Sequence, residues 1–517
     1  MSELHRHMGL FHLTMYGVGL ILGAGIYVLI GEAAGFAGNS MWISFLLGAI
    51  VAIFAGLSYA ELSALFPKAA AEYTFVKNAF KNNFFGFIIG WLTAITSIIV
   101  AATVSLGFGG YLTQFIDLPI TIGAVFLIII LSIVNFIGIK ESAWANTIFA
   151  LITAAGLVLI IFLGFSIEPV ETIDYFEAPN GITGIILAFV LIFFAFIGFE
   201  DMANVAEEVR KPKKTIPRAI ILSIVITAII YILVSLASIR ILNWEDLAAS
   251  SAPLADVAHS AIGTNGSVTL SLIALFATAS TVLITLVAGA RILYGMAKSK
   301  SLPEFLGRVH AKTKTPWIAV IAILVTSIGF AFVGDIVIIA NIVVFAVVIT
   351  FAAINLAVIV LRYTEPVLER PFRVPVNIGK FPILPLFGFG TTVYMALQFE
   401  VEVVLVGLAI IGIGSVLYII LKRRKDFMIT TVIAIPTIPI PIPIYPISIC
   451  CSVSSKLFTE SFSSPISSIN AVCPSIICWT VISEGSGNSM YERSATFGGC
   501  IDKLIGVSLI DPKMFAW

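Results

Sequence analysis

The sequence predicts an all-α polytopic membrane protein of about twelve transmembrane helices. Three observations carry this: composition, the recurrence of apolar runs of spanning length, and the alternating charge of the connections between them. Of 517 residues, 59% are hydrophobic and 11% charged, against roughly 25% charged in soluble domains, and mean hydropathy is +1.08. Runs of about 20 apolar residues cross a hydrocarbon core of ~30 Å. Such runs begin near Leu10, Met41, Phe84, Pro119, Ala143, Gly181, Ala219, Thr269, Trp317, Ile336, Phe381 and Val403. The first lacks a small-residue cleavage site and is followed at once by a second, so it reads as a retained span rather than a signal peptide.

The connections fall into two sets. One carries Lys68, Lys77, Lys81, Lys140, the cluster from Arg210 to Arg218, the cluster from Lys298 to Lys314, then Arg370, Arg373, Lys380 and Lys422 to Lys425. The other carries Asp117, Glu168, Glu171, Asp174, Glu177, Glu245, Asp246, Asp256, Asp335, Glu400 and Glu402, and almost no lysine or arginine. The positive-inside rule assigns the basic set to the cytoplasm, together with the amino terminus and residue 425 of a cell-membrane protein. The alternation also checks the span count, because one missed helix would invert it from that point on. Net charge is zero, and the basic clusters carry no motif that reads bases, which argues against a nucleic-acid partner and leaves membrane lipid as the surroundings.

The most informative local feature is Gly23-Ala24-Gly25 in the middle of the first span. In hydrocarbon every backbone N–H and C=O needs a partner, so a span that unwinds midway is tolerated only where its freed groups line a cavity or meet a ligand. A lone pair of glycines in a span also serves close helix packing. The stretch FFAFIGFED at 193–201 supplies a second candidate break in the sixth span. Five spans separate the two, the spacing of an inverted repeat of five plus five helices with helices 11 and 12 added, and paired breaks suggest a transporter. The amides of Ala24 and Gly25, at the positive end of a helix beginning near Ile26, would hold a carboxylate. Carbonyls of Ile21 and of the sixth-span segment would accept an ammonium group, so an α-amino acid backbone fits both ends. Phe193, Phe194, Phe196 and Phe199 are expected either as pocket walls or as lipid-facing bulk.

These residues resemble the amino acid, polyamine and organocation (APC) transporter superfamily, most of all its cationic amino acid transporter branch and prokaryotic relatives. The resemblance covers residues 4 to about 425. It is carried by GLILGAGIYVLIG at 19–31, YAELSALFPKAAAEY at 59–73, FFAFIGFED at 193–201, EEVRKPKKTIPRAI at 207–220 and RILYGMAKSKSLPEFLGRVHAKTKTPW at 291–317. It implies amino acid permease activity by alternating access, as a symporter or antiporter. It also implies that Gly23, Ala24 and Gly25 bind the substrate carboxylate and that Ile21, Phe194, Ala195 and Ile197 offer backbone sites to the amino group. Phe194 matches an aromatic gate, and Phe196 is a further gating candidate.

Several proton-coupled relatives place a lysine in the fifth helix; this chain has none there. Thr153 falls at that position, and Ser280 and Thr281 match hydroxyl ligands of a sodium site, oxygen donors that suit a hard cation. Serine and threonine in spans also simply bond helix backbones. The expectation is transport driven by sodium or by exchange rather than by protons, with no cofactor. Ionisable groups inside spans are expensive and therefore suspect. Glu200 matches a family acid that could sense protons or a cationic side chain, with Asp201 beside it, and Glu61 is expected to pair with a base such as Arg291 or Arg210. The loop at Ala69 to Ala71 departs from the usual double-glycine form.

Residues 1–427 thus form the permease domain, and 428–517 change character. The tail alternates proline with isoleucine in TIPIPIPIYPIS, is then serine-rich, and holds all five cysteines at Cys450, Cys451, Cys473, Cys478 and Cys500. Proline at every second position forbids a spanning helix, and the cysteine spacing fits neither zinc nor an even disulfide set. A wrong reading frame or a disordered linker accounts for it. No span holds the convergent polar groups of an enzyme. The rival reading is a non-translocating amino acid sensor on the same fold.

Overall fold

The computed structural model describes residues 8–67, 71–137, 143–168, 173–206, 209–298, 301–313 and 315–433. Most of the tail, with its cysteines, lies outside the described residues, as do Ala69 and Ala70. The expected spans are all helices. The first is split into α1 (Leu10–Ile21) and α2 (Ala24–Ala37); α3 (Met41–Leu65), α4 (Ala71–Phe80), α5 (Asn83–Leu112), α6 (Ile120–Ile137) and α7 (Ala143–Ser166) follow. The sixth is split into α8 (Gly181–Ile192), a 3-10 turn at Phe193–Phe196, and the short α9 (Asp201–Asn204). Then come α10 (Pro212–Ile241), α11 (Trp244–Ala249), α12 (Pro253–Ile262), α13 (Thr264–Lys298), α14 (Trp317–Ala331), α15 (Ile336–Thr364), α16 (Ile383–Ala396) and α17 (Val401–Ile433). A two-residue hairpin, β1 (Asn377–Ile378) with β2 (Phe381–Pro382), joins α15 to α16.

Local signals place the helix ends. The Asn82 carboxamide accepts the Phe84 N–H at the start of α5, and Asp335 accepts from Val337 and Ile338 at the start of α15, satisfying amides that have no intrahelical partner. Proline opens α10 and α12, where a missing N–H costs nothing. α10 starts seven residues ahead of the expected Ala219, so Lys213, Lys214 and Arg218 lie on its first turns rather than in a loop.

Three helices, and the small hairpin, were not expected. α4 folds out of the connection after α3, while α11 and α12 cap the far end of α2. There α2 carries Gly31, where a Cβ would lie 2.7 Å from the Leu247 carbonyl oxygen and 2.9 Å from Pro253 Cγ. Sequence hydropathy has no signal for such short, half-polar helices.

Lipid-facing and core-facing sides are both apolar. α6 exposes Ile122, Phe126, Ile130, Ile133 and Ile137 along one stripe and buries Ala124, Leu127 and Ile128. The acidic connection 173–180 folds over the corner between α2 and α3, where Asn39 donates to Glu177 at 2.7 Å and Trp42 to the Tyr175 carbonyl at 2.9 Å. At the opposite end of α3, Glu61 meets Arg362 of α15 and Arg370 of the connection that follows it.

Candidate functional site

The first break is short. Leu22 ends α1, Gly23 lies outside the helix, and α2 resumes at Ala24, two residues earlier than the sequence suggested. The Ala24 N–H donates to Thr281 Oγ1 at 3.2 Å. Of the two amides expected to meet a carboxylate, this one is therefore already occupied, while by helix geometry those of Gly25 and Ile26 lack an intrahelical acceptor. Gly25 has a second role that sequence did not show. A Cβ on it would sit 2.6 Å from Ala195 Cα, so the start of α2 rests directly on the backbone of the second break. Gly23 is similarly pressed by Thr281 Oγ1, 2.5 Å from where a Cβ would be.

The second break runs from the 3-10 turn through Ile197, which is extended, to Gly198 at φ +124°. That conformation needs glycine. The Glu200 carboxylate turns back onto this break, its Oε2 accepting the Gly198 N–H at 2.9 Å. Tyr231 of α10 ties the two breaks together: its hydroxyl lies 2.5 Å from the Ile21 carbonyl and 3.0 Å from the Ala195 carbonyl. Both are carbonyls assigned above to an ammonium group. Each oxygen keeps a second lone pair, and one O–H donates fully to only one of them at a time.

Between the breaks lies a cavity of about 80 Å³. Ile21, Gly23, Ala24, Gly25, Phe194, Ala195, Ile197, Glu200 and Asp201 line it, so most of the expected site residues meet there. Of the cation-site candidates only Thr281 does. Its hydroxyl also donates to the Ala277 carbonyl. Thr153 does not line the cavity; its hydroxyl donates to Phe149 in its own helix, and its carbonyl accepts the Tyr27 hydroxyl of α2 at 2.7 Å. Ser280 is half-buried and is also not on the cavity wall. Among the described residues no group of three or more His, Cys, Asp or Glu side chains is placed to hold a metal ion.

The phenylalanines separate. Phe194 faces the cavity, but Phe196 packs on Tyr231, Phe199 on Tyr59 and Phe351, and Phe193 on Phe351. Those three are neither pocket walls nor lipid-facing. They form a buried aromatic layer behind the break. Glu61 has a different partner from those expected: Arg362 of α15 grips it with Nε at 2.9 Å and Nη2 at 2.5 Å, Arg370 Nε lies 3.3 Å away, and the Val374 N–H donates at 2.8 Å. α3 and α15 lie side by side and bring their ends together, whereas Arg291 is exposed on α13.

Sequence reasoning missed Tyr231 and the cavity wall opposite the breaks. That wall is Thr93, Thr96, Ser97 and Val100 of α5, facing Thr285 and Ile284 of α13. The α5 residues recur at helical spacing on one face, a readable signal once a break is suspected. Below the cavity, Asn204 lies 3.5 Å from both Glu72 and Asp201 and accepts the Ala71 N–H at 2.9 Å, joining α4 to α9. Burial pushes the Glu72 carboxyl up to about 7.

An amino acid permease family profile matches residues 8–414, a range that contains both breaks, Tyr231 and every cavity-lining residue. The chain belongs to the amino acid permease family. A branched-chain amino acid permease, BcaP, of Bacillus subtilis is 30% identical to this permease over 450 residues, covering 82% of the chain and 95% of that protein. A methylthioribose transporter of the same bacterium is 27% identical over 450 residues, with 83% and 95% covered. A vacuolar cationic amino acid transporter 4 of Arabidopsis thaliana is 27% identical over 392 residues, covering 70% of the permease and 64% of the relative. The permease is thus a multi-pass member of the APC superfamily, and its relatives named here are transporters.

Proposed function

We propose that this permease is a secondary active transporter that carries amino acids across the cell membrane by alternating access. The observation that supports it most is the cavity enclosed by two helix breaks at the same level. The amides of Gly25 and Ile26 take the α-carboxylate at the positive end of α2. The ammonium group takes the free lone pairs of the Ile21 and Ala195 carbonyls, and Phe194 covers the substrate. Val100, Val104 and Ile284, with the hydroxyls of Thr96 and Ser97, face the substrate side chain and suit a compact apolar or hydroxylated one. The basic connections face the cytoplasm, together with the amino terminus.

Because α7 carries no lysine to stand in for a cation, we propose that sodium or exchange drives uptake. Counterflow into proteoliposomes, with and without sodium and pH gradients, tests both statements. Substrate-specific counterflow supports the transporter reading, and specific binding with no flux would replace it by the sensor. Uptake driven by a proton gradient with no response to sodium would overturn the coupling assignment.

A further inference from the structure

A second hollow, of about 350 Å³, opens at the basic end of the bundle, far in sequence from both breaks. Its lining includes Arg362 at the end of α15 and Arg370, Arg373 and Lys380 of the segment that leads through the hairpin to α16. The two inner arginines are fixed. Arg362 holds Glu61 and donates to Asn377 at 2.7 Å, and Arg370 donates to the carbonyls of Leu361, Glu365 and Leu368. Glu61 is the carboxylate that these side chains face, so one negative charge answers two guanidinium groups, that of Arg362 buried and that of Arg370 partly so.

The two outer cations are exposed and keep spare donors. Arg373 donates to the Gly379 carbonyl at 3.0 Å, and Lys380 has no hydrogen bond or ion pair among the described residues. Of the segment's other acids, Glu365 is paired with Lys81 at 2.9 Å and Glu369 does not line the hollow. The local balance is a surplus of positive charge around an open space.

Apolar side chains stand around this charge. Val367 is 94% and Ile378 72% exposed, with Val376 and Leu368 beside them. Insertion at a membrane boundary would take this apolar surface out of water. Val376 is held at φ +58°, which a β-branched residue rarely adopts. The Asn377 carboxamide, gripped by Arg362 and donating to the Val374 carbonyl at 2.7 Å, fixes the turn on either side. A hairpin fixed in this way, with apolar residues outward and a basic hollow beneath, fits the boundary between acyl chains and anionic headgroups.

We propose that this hollow is a binding site for the phosphate of an anionic phospholipid at the basic end of the helix bundle. Arg373 and Lys380 close on the phosphate from the rim, Arg362 and Arg370 supply the positive floor, and Val367 and Ile378 enter the acyl region. The site is independent of the identity of the transported substrate.

The test uses the full chain in nanodiscs of phosphatidylcholine alone or with added phosphatidylglycerol, read by thermal unfolding and by native mass spectrometry of retained lipid. Phosphatidylglycerol should raise the unfolding midpoint, and Arg373→Ala/Lys380→Ala should weaken its binding roughly 30-fold, about fivefold for each cation removed and slightly more. Lys380→Gln alone, which disturbs no hydrogen bond, should give about a fivefold loss. Lys213→Ala/Lys214→Ala, two exposed charges on α10, should leave binding unchanged. An equal response of the Arg373/Lys380 pair and the wild type would overturn the site. An equal midpoint rise with inorganic phosphate in phosphatidylcholine discs would replace the lipid by a soluble anion.

Discussion

Tyr231→Phe removes one oxygen atom and leaves the packing of the ring in place. The Tyr231 side chain is fully buried, with the rings of Phe45 and Phe196 at 5.7 and 5.2 Å, and phenylalanine preserves those contacts. What is lost is the single O–H shared between the Ile21 and Ala195 carbonyls. A buried acceptor stripped of its donor costs about 1–3 kcal/mol. One proton serves one acceptor fully, so the loss counts once rather than twice. The cost falls on the conformation in which the two breaks are held together, and about 1–3 kcal/mol corresponds to roughly a 5- to 150-fold fall in its population relative to a state with the breaks apart. If substrate needs the joined state and that state is the minor conformer before substrate binds, apparent affinity falls by the same factor, because binding must first restore the competent conformer. The assay is the concentration dependence of uptake into proteoliposomes, with equilibrium binding to the purified protein and elution as a single monodisperse species as the folding control. An apparent affinity within twofold of wild type, or a higher one from carbonyls freed for the ammonium group, would refute the reasoning.

Gly25→Ala places a methyl group against the Ala195 backbone, an overpacking cost of about 1–3 kcal/mol; uptake should fall while the protein still elutes as a folded species. Glu61→Gln leaves Arg362 and Arg370 without their carboxylate, and breaking a buried pair of this kind costs about 3–5 kcal/mol, visible as a lowered thermal midpoint. Glu200→Gln keeps an oxygen for the Gly198 N–H and should retain both uptake and its pH profile, whereas Glu200→Ala should lose uptake; a flattened profile in the glutamine variant would mark Glu200 as a proton carrier instead. Glu72 has a folded-state pKa raised to about 7 from 4.5. Its contribution to stability is therefore fully present below pH 4.5 and is lost as pH rises through about 7. The thermal midpoint should decline over that window, and Glu72→Gln should remove this part of the slope.

How much of this was legible depended on the kind of signal. The split of the first span was readable because Gly23 and Gly25 interrupt an apolar run, and the second break because Gly198 and two acids do the same. The α5 wall was only half legible. Thr93, Thr96 and Ser97 stand on one face at helical spacing, yet hydroxyls in spans also bond their own helix, as Thr93 and Ser97 do here. Phe193, Phe196 and Phe199 were misassigned for a related reason: phenylalanine suits a pocket, a lipid surface and a packed interior alike, and hydropathy cannot separate the three. The partner of Glu61 was misread because Arg362 lies 301 positions away and sits within a span, while the expected bases stood in basic connections.

The sequence by itself determined the environment, the number and order of the spans, the places where two of them unwind, and the family. These follow from one-dimensional quantities: run length, loop charge and glycine placement. Tertiary structure alone decided that the Tyr231 hydroxyl joins the breaks, that Thr281 occupies the Ala24 amide, that Glu61 pairs with Arg362, and that basic side chains surround a hollow beside an apolar hairpin. The physical reason is that lipid and protein interior are equally apolar, so the outward and inward faces of a spanning helix carry nearly the same residues. Which face meets which neighbour is fixed only when the helices pack.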